Sequence, residues 1–227
     1  MKLYKPKFWD KRSNISLFSI LLLPLSLITI IKNYYENSKI KRNFYDFRTI
    51  CVGNIYIGGT GKTPLVNNLA SHFKKRFKTA IIKKNYTSHT DEKKLLESKH
   101  KVIFEKTREL SLSKAEQEKT QIVIFDDGLQ EKTINYDIKI VCFNSLKLDG
   151  NGLVIPAGPL REKLNSIKNY DLILINGNTN KESKNFEKKI KNINPNIKIF
   201  TGKYIPKDYS KLRKKKFVIF SGIGNPH

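Results

Sequence analysis

From Phe47 onward, short apolar runs alternate with polar stretches that are compatible with helices. The apolar runs are continuous in Ile, Val, Leu and Phe rather than alternating, which is typical of strands buried on both faces of a parallel sheet. The polar stretches suit crossover connections between such strands. The pattern therefore predicts an α/β protein with a mostly parallel sheet flanked by helices. The predicted strands are Thr49–Val52, Thr79–Ile82, Lys101–Phe104, Gln121–Phe125, Ile138–Phe143, Asp171–Ile175, Ile197–Phe200 and Phe217–Phe220.

An uncharged, strongly apolar run lies near the N-terminus, at Ile15–Ile31. As a helix it would extend about 25 Å, short of the roughly 30 Å hydrocarbon core of a bilayer. Aromatic residues flank it and basic residues lie just beyond, as is typical at membrane interfaces. No small-residue cleavage site follows, which disfavours a secretory signal peptide. A buried core helix is the other alternative, and the lack of a polar face disfavours it.

These patterns predict two parts of the chain. Residues 1–46 are expected to form a membrane-associated helix with its basic and aromatic flank, and residues 47–227 an α/β domain. Within that domain the lysine- and asparagine-rich stretch Asn178–Asn196 is predicted to be a solvated helix and loop.

A glycine-rich segment follows the first predicted strand, with the sequence Tyr56-Ile57-Gly58-Gly59-Thr60-Gly61-Lys62-Thr63. Glycines let the backbone wrap closely around a phosphate, lysine supplies a mobile positive charge, and a threonine hydroxyl can ligate the Mg²⁺ that accompanies a nucleoside triphosphate. Residues Pro64–Lys75 are predicted to form a helix, whose N-terminal dipole also favours phosphate. The usual pattern has glycine where Tyr56 stands, so a glycine-rich turn with a chance Gly-Lys-Thr is the alternative. Strand before and helix after favour a loop that binds ATP or GTP.

A second candidate for chemistry is the stretch Gln121–Gln130, an apolar strand that ends in Asp126 and Asp127. In a parallel α/β fold the nucleotide lies at the carboxyl edge of the sheet, where these two residues are expected. One carboxylate can hold the Mg²⁺ or its water shell. Alone, Asp-Asp-Gly is often just a turn, but together with the glycine-rich loop it predicts a site.

Composition narrows the class of partner. The net charge is +24, and 37 of the 44 basic residues are lysine. A polyanionic partner or a compositional bias toward lysine can each account for this charge. With seven arginines and no cluster of arginines with aromatic residues, nucleic acid is not expected, and an anionic membrane surface is the expected partner. Cys51 and Cys142 lie in apolar runs and are predicted to be buried thiols rather than disulfide or zinc ligands.

Four stretches resemble the tetraacyldisaccharide 4′-kinases, the lipid A 4′-kinases of Gram-negative bacteria, and occur in the family's order. The first and third of them are distinctive, whereas Asp-Asp-Gly is not. The family's short N-terminal membrane-associated helix also corresponds to Ile15–Ile31. The four stretches are Val52–Pro64, Asp126–Gln130, Pro156–Glu162 and Gly222–Pro226.

The resemblance implies a phosphate-binding-loop kinase fold and a reaction. The γ-phosphate of ATP would be transferred to the 4′-hydroxyl of an acylated glucosamine disaccharide 1-phosphate at the cytoplasmic face of the bacterial inner membrane. Lys62 would cradle the β- and γ-phosphates, Thr63 would ligate Mg²⁺, and Asp126 or Asp127 would complete the metal site. Such catalysis consists mostly of positioning and charge neutralisation. We take Lys62 and Asp127 as candidate catalytic residues.

A carboxylate that orients or deprotonates the sugar hydroxyl is also required. The family places one in a Gly-Asp-Glu-Pro stretch, and the nearest equivalent here is Thr90-Asp91-Glu92-Lys93. Asp91 is therefore the candidate base. An exposed helix N-cap is the alternative role for this residue.

The chain also departs from the family pattern. Lys83-Lys84-Asn85-Tyr86-Thr87 stands where the family has Ser-Arg-Gly-Tyr-Gly, and Glu131 replaces a common histidine. The family continues past the equivalent of His227 into an Asp-His-His stretch, so the C-terminal part of the family fold is expected to be missing. Two other functions therefore stay open: a switch GTPase or ATPase, although its usual base-recognition stretch is not found, and a catalytically incomplete nucleotide-binding remnant.

Overall fold

A computed structural model of the chain describes residues 5–12, 15–37, 45–83, 94, 96–203 and 205. Within these residues the core is a seven-stranded sheet in which every neighbouring pair of strands is parallel. The strand order is β3-β2-β4-β1-β5-β6-β7. The strands are β1 Arg48–Gly53, β2 Thr79–Lys83, β3 Val102–Ile103, β4 Ile122–Asp126, β5 Ile138–Asn144, β6 Leu172–Asn176 and β7 Lys198–Gly202.

Strand β1 occupies the centre of the sheet, between β4 and β5. The chain first builds outward on one side, to β2 and β3, then returns to β4 and continues on the other side of β1. This reversal creates a crevice beyond the carboxyl ends of the central strands, where parallel α/β folds bind their ligands. The residues just after β1 and β4 therefore lie at the expected binding edge.

The α-helices with described bounds are α1 Leu17–Asn37, α2 Lys62–Phe73, α3 Arg108–Gln117 and α4 Lys181–Ile193. Alternate side chains of β1 enter two hydrophobic clusters on opposite faces of the sheet, as the period of a strand requires. Helix α2 covers one face through Val66 and Ala70. Helices α3 and α4 cover the other, where Phe186 packs edge-on against Phe143.

The predicted fold class is confirmed, and seven of the predicted strands form within a residue or two of their predicted bounds. The eighth, Phe217–Phe220, lies outside the described residues. Helix α2 begins at Lys62 rather than at Pro64, so the predicted start of this helix was two residues late. Proline is accommodated there because the N–H groups of a first helical turn have no partner within the helix.

The prediction of a solvated segment at Asn178–Asn196 was incomplete. Helix α4 begins with a capping box, in which Asn180 accepts a bond from the Ser183 N–H and the Ser183 hydroxyl accepts one from the Asn180 N–H. Its apolar residues are few but share one face, and Phe186 and Ile190 are buried against the sheet. Because lysines outnumber these apolar residues, the composition of the segment gave no indication of an apolar face.

Helix α1 differs from its prediction in two ways. It continues beyond the apolar run to Asn37, and its 21 residues extend about 31 Å, enough to match the roughly 30 Å hydrocarbon core. The segment Leu17–Glu36 is long and apolar enough to cross a membrane by length and composition. It also has a polar stripe, since Ser19 and Ser26 lie on one face and are 0% and 2% exposed. The opposite face carries exposed apolar side chains, among them Leu17, Phe18, Leu21, Leu27 and Ile28.

Candidate nucleotide-binding site

The glycine-rich loop connects the carboxyl end of β1 to the start of α2, in the crevice at the centre of the sheet. Gly58 and Gly61 have φ angles of +132° and +84°, which side-chain-bearing residues rarely adopt. Gly61 directly precedes α2 and therefore sets the direction in which the helix begins. The hydroxyl of Thr60 and the Oδ1 atom of Asn54 are buried and have no hydrogen-bond partner among the described residues. The loop thus leads into a helix N-terminus, which is suited to an anion.

A downstream segment, Pro156–Glu162, braces the first half of the loop. The Ile57 N–H donates to the carbonyl of Pro159 at 2.9 Å, and the Arg161 N–H donates to the carbonyl of Ile55 at 2.7 Å. Between them Tyr56 forms an antiparallel bridge with Leu160. The Ile57 N–H therefore already has a hydrogen-bond acceptor within the protein. The predicted contact of each of residues 56–63 with a nucleotide stays a prediction.

Tyr56, the residue that replaces the usual glycine, is 2% exposed. Its hydroxyl donates to Asp10 Oδ1 at 2.5 Å and accepts a hydrogen bond from Lys5. Lys147 Nζ lies 2.8 Å from the other oxygen of Asp10. Burial and the Asp10 carboxylate raise the pKa of Tyr56, so its hydroxyl stays protonated and donates. The side chain thus ties the beginning of the loop to the segment before α1.

Asp126 lies at the end of β4, directly opposite Lys83 at the end of β2. Lys83 Nζ lies 2.7 Å from Asp126 Oδ2, and both side chains are buried. The hydroxyl of Thr63 donates to the same oxygen at 3.3 Å. The carboxylate is thus held on one side by a lysine and on the other by the hydroxyl that was predicted to ligate Mg²⁺.

Asp127 faces a different set of partners. Its φ of +63° turns the chain sharply after β4, a conformation that aspartate tolerates better than most residues. Lys62 Nζ lies 3.8 Å from Asp127 Oδ1, and Arg161 Nη1 lies 3.2 Å from the same oxygen. Arg161 also donates to Gln130 Oε1 at 2.7 Å. The lysine of the loop and a downstream arginine therefore converge on one carboxylate.

Three basic residues of this site received no role from the sequence: Lys83, Arg108 and Arg161. Arg108 begins α3 and donates to the carbonyl of Asp127 at 2.8 Å. Lys83 and Asp126 end adjacent strands, and this placement is the signal that could have paired them. Arg161 lies within the distinctive Pro156–Glu162 stretch. The sequence offers no local signal for Arg108.

The side chains present fit a Mg²⁺ ion that accompanies a triphosphate. Such an ion takes one or two carboxylates, a hydroxyl, phosphate oxygens and water, and needs no cage of protein ligands. The described residues contain no group of three or more His, Cys, Asp or Glu side chains that could hold a metal alone. Thr63 with Asp126, and Asp127 nearby, supply the smaller set. Asp91 lies outside the described residues.

The protein has a parallel α/β fold, a glycine-rich loop, a lysine and a threonine at the start of the next helix, and two aspartates at the end of the adjacent strand. These features together define a nucleotide-binding protein of the phosphate-binding-loop class. Residues 18–227 match the family described as Tetraacyldisaccharide-1-P 4′-kinase. The chain belongs to this family, and is therefore an ATP-dependent kinase of the lipid A pathway rather than a switch GTPase.

Two relatives illustrate the match, both named tetraacyldisaccharide 4′-kinase. The protein of Pelagibacter ubique is 49% identical over 99% of this chain and 71% of its own length. The protein of Rickettsia felis is 36% identical over the whole of this chain and 72% of its own length. A solved structure of LpxK from Aquifex aeolicus in complex with ATP shares the fold, with a TM-score of 0.59. That structure is 20% identical, and the match covers 91% of this chain and 87% of that one.

Proposed function

We propose that this protein transfers the γ-phosphate of ATP to the 4′-hydroxyl of a tetraacyldisaccharide 1-phosphate at the cytoplasmic face of the inner membrane. The observation that supports it most directly is the meeting of Lys62 and Thr63 with Asp127 and Asp126 at the carboxyl edge of the sheet. These are the groups that position and neutralise a triphosphate in kinases of this class. The name of the matched family supplies the acceptor.

The two aspartates take different roles in this proposal. Thr63 and Asp126 would hold Mg²⁺, because the hydroxyl and carboxylate oxygens lie 3.3 Å apart. When bound, the ion would neutralise charge on the phosphate oxygens. Asp127 would keep Lys62 and Arg161 in place beside the transferring group, since both cations lie within 4 Å of its carboxylate. Preorganised cations of this kind stabilise the developing charge of the transition state.

Asp91 is the proposed base, on the strength of the family resemblance. The proton of the 4′-hydroxyl would pass to its carboxylate while the hydroxyl oxygen forms a bond to the γ-phosphorus. The bond between that phosphorus and the bridging oxygen of ADP would break, and ADP would leave. A proton acceptor within hydrogen-bond reach of the nucleophile is what this step requires.

The exposed face of α1 supports membrane binding. Leu17 is 83% exposed, Leu21 is 75% exposed and Phe18 is 68% exposed. An apolar face of this size and continuity marks a surface that binds a membrane or another protein. An acylated substrate stays in the bilayer, so a helix lying in the same bilayer would bring the site to the sugar. The lysine-rich surface would add attraction to anionic lipids.

The decisive experiment is a transfer assay. Full-length protein in detergent would receive ATP labelled in the γ position and a tetraacyldisaccharide 1-phosphate, with and without Mg²⁺. We expect Mg²⁺-dependent labelling of the lipid, and a loss of about 100-fold or more in Lys62→Ala. The matched control is Lys75→Ala, an exposed lysine near the end of the helix that Lys62 begins. Labelling of a soluble sugar alone, ATP binding without transfer, or an unaffected Lys62→Ala variant would each refute the proposal.

A further inference from the structure

The polar stripe of α1 faces the catalytic part of the protein. Ser19, Ser26 and Asn33 are spaced by two helical turns each and therefore lie on one face of the helix. The two serines are buried and Asn33 is half-buried. Neighbouring side chains such as Leu27 and Ile28 are more than half exposed. The polar residues of the helix thus face the protein, where Ile30 also packs against the core, while its exposed face is apolar. A soluble surface helix has the opposite arrangement of polar and apolar faces.

Each polar residue of the stripe bonds to the region that contains the loop-bracing segment Pro156–Glu162. The Ser26 hydroxyl donates to the Val154 carbonyl at 2.8 Å and accepts from the Ala157 N–H at 3.1 Å. One helical repeat further on, Asn33 Nδ2 donates to the carbonyl of Arg161 at 2.8 Å. The helix therefore holds this segment near both of its ends.

Arg161 is the point at which these contacts reach the site. Its carbonyl accepts from Asn33, its N–H donates to Ile55 immediately before the loop, and its guanidinium contacts Asp127. Three parts of the protein that are distant in sequence thus meet at one residue. A rotation or shift of α1 would move the Arg161 backbone, and with it the cation beside Asp127.

We propose that Ser26 and Asn33 are positioning residues for phosphoryl transfer, which act through Arg161. Helix α1 then helps to position residues of the site, in addition to attaching the protein to the membrane. The physical basis is that a polar side chain in an apolar environment costs free energy unless it is hydrogen-bonded. The rotation of α1 that pairs its serines is also the one that places Asn33 against Arg161. This inference rests on the proposed function, because it assumes that Asp127 lies in the working site.

The first test compares the polar stripe of α1 with an exposed apolar residue of the same helix, Leu27. In detergent, Asn33→Ala and Ser26→Ala are each expected to lower kcat about fivefold or more, because small displacements of positioned groups are costly to catalysis. Their partitioning onto anionic vesicles should stay unchanged. The control Leu27→Ala should show the opposite result, with kcat retained and vesicle binding weakened. A normal kcat in both polar variants would overturn the proposal.

The second test is a double-mutant cycle. If Asn33 acts through Arg161, the loss caused by Asn33→Ala should largely disappear in an Arg161→Ala background, whereas independent effects would multiply. Restoration of most of the rate by Asn33→Gln, which keeps the amide donor, would agree with the proposal. Multiplicative losses in the cycle would contradict it and leave α1 with a purely structural role.

Hydrogen exchange separates failure of this inference from failure of the proposed function. The Arg161 N–H bonds to Ile55, so its exchange in the full-length protein reports how firmly the segment is held. Asn33→Ala should accelerate exchange in the peptide containing Arg161 about tenfold, and Leu27→Ala should not. Unchanged exchange would refute the coupling even in an active enzyme. Faster exchange in a protein without any lipid kinase activity would refute the catalytic role together with the proposed function.

Discussion

Lys83 and Asp126 form a buried ion pair across two neighbouring strands, with 2.7 Å between Nζ and Oδ2. The two residues are register partners at the ends of β2 and β4, and their side chains are 10% and 1% exposed. A buried carboxylate needs a cation or hydrogen-bond donors to offset its lost hydration. The pair therefore keeps a charged oxygen at the edge of the sheet beside Thr63.

The first prediction concerns this pair. Lys83→Met should lower the free energy of unfolding by about 3 kcal/mol, because it leaves a buried carboxylate without its cation. Urea unfolding followed by circular dichroism measures the change. Lys75→Met, at an exposed position, should stay within about 0.5 kcal/mol of the parent protein. Adding Asp126→Asn to Lys83→Met should recover part of the loss, and a further drop instead would argue against the pairing.

The second prediction separates the two aspartates. Asp126 accepts a hydrogen bond from the Thr63 hydroxyl, whereas Asp127 faces Lys62 and Arg161. Asp126→Asn should raise the Mg²⁺ concentration needed for half-maximal transfer about tenfold or more, and excess Mg²⁺ should restore much of the rate. Asp127→Asn should lower kcat even at saturating Mg²⁺. Titration of both variants with Mg²⁺ distinguishes the roles, and identical titration curves would contradict the assignment.

The third prediction concerns pH and Asp10. Burial alone would raise the pKa of Asp10, but hydrogen bonds from Lys147, Lys5 and Tyr56 outweigh it and lower that pKa below the ordinary 3.8. A carboxyl with a lowered folded-state pKa stabilises the fold above its unfolded pKa, and this contribution disappears as pH falls through the folded value. The stability advantage of the parent protein over Asp10→Asn should therefore be full above about pH 5 and shrink below pH 3.8. Denaturant unfolding across this range measures it. A stability difference that does not vary with pH would mean that the charge of the Asp10 carboxylate does not contribute to the stability of the fold.

The fourth prediction concerns the exposed face of α1. Phe18→Ser and Leu21→Ser should each weaken binding to anionic vesicles about tenfold, in line with the transfer free energy of one large apolar side chain. Vesicle sedimentation at fixed lipid concentration gives the partition coefficient. Leu110→Ser is the matched control, because Leu110 is 51% exposed and lies on α3 rather than on α1. Equal losses of vesicle binding in all three variants would indicate nonspecific hydrophobic adsorption rather than a membrane-binding face on α1.

The fifth prediction concerns the two cysteines, which are free and buried as their apolar sequence context predicted. Burial raises the pKa of both thiols to about 12. Since the thiolate is the reactive form, neither should react with iodoacetamide at pH 8 in the native protein, and both should react in urea. Mass spectrometry after timed labelling checks this. Rapid labelling of Cys51 would mean that the centre of the sheet opens readily.

The sheet could be predicted from sequence because its strands are buried on both faces and their apolar runs are therefore unbroken. The apolar face of helix α4 could not, since its two buried residues, Phe186 and Ile190, are outnumbered by lysines. The loop and the two aspartates were predicted by residue type and by their position after strands. Their partners Arg108 and Arg161 come from elsewhere in the chain, and only the folded topology brings both to Asp127, Arg108 to its backbone carbonyl and Arg161 to its carboxylate.

Helix α1 shows the same limit for a different reason. Ser19 and Ser26 each stand alone among apolar residues, and two hydroxyls two turns apart do not register as a polar face in the sequence. Ser26 bonds to the carbonyl of Val154 and the N–H of Ala157, and Ser19 accepts from the side-chain amide of Asn151. No local pattern of the helix can reveal these partners.

The bond between Ile57 and Pro159 has a consequence for how this loop can be used. A glycine-rich phosphate-binding loop is commonly treated as a unit of strand, turn and helix that could be transferred to another protein, and here that unit would be residues 48–73. In this protein Ile57 and Ile55 take backbone partners from Pro159 and Arg161, and the Tyr56 hydroxyl between them bonds to Asp10. Transferred alone, residues 48–73 would carry the recognisable sequence without the contacts that hold the loop in its conformation. The smallest transferable nucleotide-binding unit of this chain therefore runs from Asp10 to at least Arg161.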